Sequence, residues 1–356
     1  MSLRASRSPL RFVAKLTAIA LVCASCATQA PAPVAARAFP PPPEQPRFIY
    51  DGALHTSRDV EVTSFGDKIR QLATGVQTEP TGLAKPYAVV AGRGRVYVSD
   101  TQQRAVLIFD LVAHTFKTIG NEGAGVLQKP LGMALSSSGE LFVADISAGR
   151  VVVFDSEGKY SRAIGDKTSF KRPTSVAIDD IAHRLYVVDA GGIESDDHRV
   201  FVFDPTTGAP LGVIGKRGTG EGEFNLPLHA AVGPDGTLYV VDSGNFRVQA
   251  FNRDGSFSRM FGSLGRRSGQ FSRPKGVAVD REGNVFVVDA AFGNFQVFDT
   301  KGNLLLFVGE RNTSGGPGGF MLPAGITVGD DGRIYVVDQF FRKVDIFRPA
   351  ELPAQH

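Results

Sequence analysis

Apolar residues fall along this chain in short bursts of β-branched and aromatic side chains, broken by Gly, Asp, Ser and Pro, and no long segment repeats them at helical spacing. The bursts predict strands, and they recur. Six times the chain passes a proline, an alternating strand, a nearly continuous apolar strand ending in Asp, a third strand ending in Phe, and a fourth ending near Gly. The prolines are Pro86, Pro130, Pro173, Pro227, Pro274 and Pro323. The aspartates are Asp100, Asp145, Asp189, Asp242, Asp289 and Asp338, and the phenylalanines Phe109, Phe154, Phe203, Phe251, Phe298 and Phe347. Successive aspartates lie 45, 44, 53, 47 and 49 residues apart, so the unit is constant and its loops vary.

Four short strands per unit, repeated six times, predict an all-β, six-bladed β-propeller with four-stranded blades. The apolar second strands should be buried between neighbouring blades, with Tyr97, Phe142, Tyr186, Tyr239, Phe286 and Tyr335 serving as packing. The sixth unit runs out after Phe347, because the tail, residues 349–356, is short and holds Pro349 and Pro353. Residues 47–52 resemble the outer strand of the fifth unit around Leu305–Gly309. They are expected to close the sixth blade as its outermost strand, joining the chain ends and covering a free edge. The propeller then spans residues 47–348, with 64–81 as a variable insert before the first blade.

The linker Gly220–Pro227, the segment Gly269–Asp280 and the strand Asn245–Phe251 resemble the NHL repeat, and the resemblance extends over about residues 85–348. It implies an NHL-type propeller. It does not imply one activity, since function resides in sites grafted onto folds. Similar bacterial NHL lipoproteins, some encoded beside multihaem cytochromes, have a proline-rich lead, an outer closing strand and a variable insert. Related propellers also include enzymes: lyases with zinc held by histidines from several blades, and gluconolactonase-like proteins with a divalent ion held by carboxylate and amide ligands.

The first 26 residues carry Arg4, Arg7, Arg11 and Lys15 ahead of an apolar run, Leu16–Val22, that ends in Cys23-Ala-Ser-Cys26. This is the layout of an export signal, and the run is too short to span a membrane. The segment resembles a bacterial lipoprotein signal in which Cys26 is lipidated, although Cys23 stands where Leu is usual. Cleavage without lipidation, giving a soluble periplasmic or secreted protein, is the alternative. Residues 27–46, rich in Ala and Pro, suit an extended tether, and the resemblance implies anchoring to the cell envelope, at the outer membrane.

Charge then changes the picture. Residues 1–25 contain four of the 39 basic residues and none of the 36 acidic ones, leaving 35 against 36 over the remainder. The basic pI therefore reflects the leader and gives no support for a nucleic-acid partner. Both cysteines also lie in the leader, so the repeats contain no thiol.

Candidate chemistry collects on one rim. In propellers of this type the linkers entering the first strands and the turns leaving the second strands share a rim of the central tunnel. Lys85, Lys129, Arg172 and Arg273 precede four of the landmark prolines, beside the six landmark aspartates. Two readings remain open: a basic arc for an acidic partner, or cations that neutralise a structural Asp ring. Arg150, Arg199 and Arg247 are placed to bond Asp145, Asp189 and Asp242 across the following turn. His229 stands where the other blades have Ala88, Gly132, Ser175, Gly276 and Gly325, and His198 ends the longest second-to-third turn, residues 190–198. One histidine at a first strand cannot make a three-ligand zinc site. No cofactor is expected, calcium in the tunnel being left open by the Asp oxygens. The resulting expectation is a monomeric module that binds an envelope or secreted protein, with a metal-dependent lyase or lactonase as the alternative.

Overall fold

The structure is a computed structural model that describes residues 37–351 apart from 63–72, 74–78 and 193. The leader with Cys26, the first part of the tether, most of the 64–81 insert and residues 352–356 lie outside the described residues.

Each proline fixes the start of an innermost strand, and each unit folds back through tight turns into an antiparallel sheet. The first blade comprises Pro86–Gly92, Arg95–Asp100, Ala105–Asp110 and Thr115–Ile119. Four more four-stranded sheets follow, beginning at Pro130, Pro173, Pro227 and Pro274. The sixth blade contains Pro323–Val328, Ile334–Asp338 and Lys343–Pro349 from the C-terminal part of the chain. Its fourth strand is Phe48–Leu54, antiparallel to Lys343–Pro349, and Ala38–Phe39 adds a fifth. The ring is thus closed by the two ends of the chain, as the missing fourth strand predicted.

Closure reaches two residues beyond the expected 47–52 because the strand bulges. Register shifts between Tyr50 and Gly52, where Gly52 adopts φ 133°, and pairing resumes through Leu54 opposite Val344. The bulge leaves Asp51 out of the ladder. Its buried carboxylate instead pairs with Arg333 Nε at 2.9 Å and Arg348 Nε at 3.3 Å. Phe48 meets Phe286 and Phe295 of the fifth blade edge to face, with ring centroids 6.1 and 6.5 Å away, so the closing strand also binds two blades together. The segment leading into it is packed as well: Phe39 is buried against Phe347, and Arg37 pairs with Glu310.

The core lies between blades, where second strands are covered on both faces. All six second-position aromatics are buried there, from Phe142 at 0% exposure to Tyr97 at 5%. Around the axis the first strands crowd. A Cβ added to Gly132 would lie 2.6 Å from Ser175 Cα of the next blade, and one on Gly325 would lie 2.7 Å from Ala88 Cα. This explains the run of small residues two positions after the prolines.

Candidate binding rim at the tunnel mouth

The landmark aspartates are the pins of the rim. Each carboxylate is buried and accepts main-chain N–H groups, from the linker that enters its own blade and, in most blades, from the turn that follows it. Asp100 accepts from Ala84 and Lys85 at 2.7 and 2.8 Å through one oxygen, and from Gln102 and Gln103, both at 3.0 Å, through the other. Asp145, Asp189, Asp289 and Asp338 repeat the arrangement, taking the N–H groups of Gln128 and Lys129, Lys171 and Arg172, Ser272 and Arg273, and Met321 and Leu322. Main-chain donors satisfy a buried carboxylate without a cation.

Blade four departs from the pattern. Asp242 accepts from Asn225 N–H at 2.6 Å, but its other oxygen takes Arg247 Nε at 2.9 Å, Asn245 Nδ2 and Gln249 Nε2. The Leu226 N–H, left over, donates to His198 Nδ1 at 3.1 Å. His198 is fully buried, and its Nε2 lies 3.0 Å from Gly192 O, so both ring nitrogens are engaged in fastening the long turn of blade three to the linker of blade four. His198 therefore presents nothing to solvent, contrary to its expected place on the binding surface.

Of the three arginines expected to bond the landmark aspartates, only Arg247 does so. Arg150 donates to Val126 O, and Arg199 pairs with Asp197 in the long turn. Their aspartates are already occupied by main-chain donors and present no free lone pair in that direction.

His229 is buried between blades four and five, with Nδ1 accepting from Val277 N–H at 3.4 Å. Burial pushes its pKa down to about 4, so it is neutral at physiological pH. It lines a cavity of about 200 Å³ on the axis, otherwise walled by aliphatic first-strand residues such as Val90, Leu135, Ile178 and Val279, with Thr327 the other polar side chain. Among the described residues no group of three or more His, Cys, Asp or Glu side chains converges to hold a metal ion. The Asp oxygens that suggested calcium are spent on N–H groups and do not fit that role.

The cations fare differently. The main-chain N–H groups of Lys85, Lys129, Arg172 and Arg273 are bound to the aspartates, yet their side chains make no ion pair among the described residues. Lys85, Lys129 and Arg273 are exposed and Arg172 is half-buried. Two further groups, missed in the sequence, join them at the mouth. Tyr87 and Lys275 each follow a landmark proline, where the other blades have Leu131, Thr174, Leu228 and Ala324. Burial raises the pKa of Tyr87, and the positive charge of Arg172 offsets part of that. Burial and the neighbouring Arg273 push Lys275 down to about 8, against the pull of Asp338. The signal was available: Lys275 is the one charged residue at its repeat position.

Fold and repeat together define a six-bladed β-propeller, parts of which match two propeller families. The SMP-30/Gluconolactonase/LRE-like region matches residues 88–191, and the NHL repeat matches residues 224–251. RING finger protein nhl-1 of Caenorhabditis elegans is 40% identical over 55 residues, a stretch covering 15% of this chain and 6% of that protein. Among solved structures, streptogramin B lyase superposes with a TM-score of 0.55 at 12% identity, covering 75% of this chain and 94% of the lyase. A gluconolactonase from Xanthomonas campestris gives 0.57 at 18% identity, covering 75% and 86%. A chain of the nidogen/laminin complex gives 0.53 at 19% identity, covering 70% and 88%. Likeness at these identities establishes the fold, which lyases, a lactonase and binding proteins share.

Proposed function

We propose that this chain is an exported, lipid-anchored propeller of the cell envelope that binds an acidic protein partner on the rim carrying Lys85, Lys129, Arg172 and Arg273. One observation carries the reading. The structural alternative gave these cations the task of neutralising the Asp ring, and main-chain N–H groups already perform it. What remains is a cationic arc facing solvent on a domain whose overall charge beyond the leader is close to balanced. Cys26 would supply the anchor, and the Ala/Pro-rich stretch the reach.

Replacing the four cations by Ala should leave the melting temperature within a few degrees, because Lys85, Lys129 and Arg273 are exposed, the half-buried Arg172 makes no ion pair among the described residues, and such side chains seldom contribute more than about 0.5 kcal/mol each. It should abolish salt-sensitive capture of an envelope partner by the tagged domain. Unchanged capture would place the site elsewhere, and collapse of the fold would return the cations to a structural role. Cys26→Ser should release the full chain from membranes; a wild-type chain that already fractionates as soluble would refute the anchor.

A further inference from the structure

The outermost strand of blade five, Leu304–Val308, turns apolar side chains to solvent: Leu305 and Phe307 are 45% and 54% exposed. The corresponding strand of blade one exposes Thr115 and Lys117 instead, a polar edge of the usual kind. The linker entering blade five continues the patch. Its loop leaves Leu264 63% exposed, and beside it Arg266 and Arg267 are exposed and make no ion pair among the described residues. The loop is held by main-chain bonds, Gly265 N–H to Phe271 O at 3.1 Å and Phe271 N–H to Ser263 O at 2.9 Å, and Phe271 itself is fully buried. Gly269 N–H donates to Gln296 Oε1 at 2.8 Å, and Gln296 is the cross-strand partner of Phe307, so the loop is fixed on the face that Phe307 shares.

Two observations point to what covers this patch. The first is where the lead reaches the propeller: Arg37 pairs with Glu310 at 3.2 Å and donates to Pro317 O at 2.9 Å, and Glu310 follows Phe307 by three residues. Arg37 is eleven residues from Cys26, a reach of at most about 40 Å when fully extended. A lipid on Cys26 would therefore hold a bilayer within reach of the patch. The second is charge. The linker entering blade four is built in the same way, with Gly222 N–H on Gln249 Oε1 and Gln249 paired with Met260. It carries Glu221 and Glu223 where this loop has Ser268 and Gln270, and Thr219 and Gly220 where this loop has Arg266 and Arg267. Two acids are absent and two arginines added beside exposed Leu and Phe, which suits a surface that is anionic outside and apolar beneath, the properties of a lipid bilayer.

We propose that blade five is the membrane-docking side of the propeller: Leu264, Leu305 and Phe307 enter the headgroup region of an anionic bilayer, and Arg266 and Arg267 pair with its lipid phosphates. The choice of occupant rests on the reading of Cys26 as a lipid anchor, but the patch is tested on a chain without lipid, so the two fail separately. A tether alone does not set which side of the domain faces the membrane; an apolar and basic patch does. Binding through the patch is reversible and salt-sensitive, so it does not replace the anchor, and Cys26→Ser still frees the chain from salt-washed membranes.

The test is co-sedimentation of the chain from Ala27 onward, which holds the whole propeller but neither leader nor lipid, with vesicles of phosphatidylcholine alone or of equal parts phosphatidylcholine and phosphatidylglycerol. The wild type should partition onto the mixed vesicles about tenfold more strongly than onto the neutral ones. Leu264→Ser with Phe307→Ser should weaken binding to the mixed vesicles by about tenfold, and Arg266→Gln with Arg267→Gln should remove the preference for anionic lipid, both pairs melting within a few degrees of the wild type. The control is Leu211→Ser with Val213→Ser on the outer strand of blade three, where both side chains are exposed; it should bind as the wild type does. The proposal is overturned if the wild type ignores vesicles or binds neutral ones equally, if either patch variant binds unchanged, or if the blade-three control loses binding to the same extent.

Discussion

Phe48→Ala tests whether the N-terminal segment holds the ring shut. Phe48 is 9% exposed and packs on Phe286 and Phe295, residues of a different blade from the one its strand completes. Truncating a buried phenylalanine costs about 3–5 kcal/mol, the lost transfer energy plus a cavity. An outer strand relaxes more readily than a central one, so the lower end applies. About 3 kcal/mol lowers the melting temperature of a domain of about 300 residues by roughly 5 °C. The control is Leu305→Ala on the outer strand of blade five, where the side chain is 45% exposed and the change should be within about 0.5 kcal/mol. Differential scanning calorimetry of both variants, with loss of strand signal followed by circular dichroism, supplies the measurement. If Phe48→Ala melts within two degrees of the control, the closing strand is a passive cover and the inter-blade role assigned to it is wrong.

Two further outcomes follow from buried charge. Asp100→Ala leaves the N–H groups of Ala84, Lys85, Gln102 and Gln103 without their acceptor and should cost at least about 3 kcal/mol in chemical denaturation, with Asp100→Asn between it and the wild type; equal stability of all three would show that water replaces the carboxylate. The pH dependence of Lys275 runs opposite to that of a salt-bridged lysine. Its folded pKa of about 8 lies below the ordinary value of 10.5, so the penalty, on the order of 2–3 kcal/mol, is complete below pH 8. It fades as pH rises from 8 toward 10.5, where the folded chain has released a proton that the unfolded chain still holds. The stability advantage of Lys275→Met should therefore shrink across that window, and an advantage flat from pH 6 to 10 would refute the burial of the charge.

The propeller was legible because its determinants are local and repeated six times: a proline to start each inner strand, an Asp to end the second, small residues at the axis. Closure was legible from a deficit, since the sixth unit lacked a strand and Phe48–Tyr50 matched it. The extension to Leu54 was not, because the bulge at Gly52 depends on Asp51 finding Arg333 and Arg348, almost 300 residues away. The same holds for the rim. The pairing of Arg247 with Asp242 is a contact within one hairpin, and it was anticipated; the displacement of Leu226 N–H onto His198 comes from another blade. Arg150 and Arg199 were misassigned because sequence spacing shows which groups are near, while the lone pairs of Asp145 and Asp189 had been taken by linker amides. Tyr87 and Lys275 acquire meaning only when six first strands are drawn around one axis.

The antiparallel seal of blade six has a mechanical side. Phe48 lies opposite Pro349 and Leu54 opposite Val344, so the chain enters and leaves at the same end of the paired strands. Tension that draws the two chain ends apart would load the seam like a zipper, one pair at a time from Phe48 inward, instead of shearing all its hydrogen bonds together. Such a seam yields at low force while the five other blades, with no chain end in their sheets, stay intact. A molecule held by its N-terminal side and pulled by its C-terminal side would open at blade six first, and the register of that one strand sets the load it can bear.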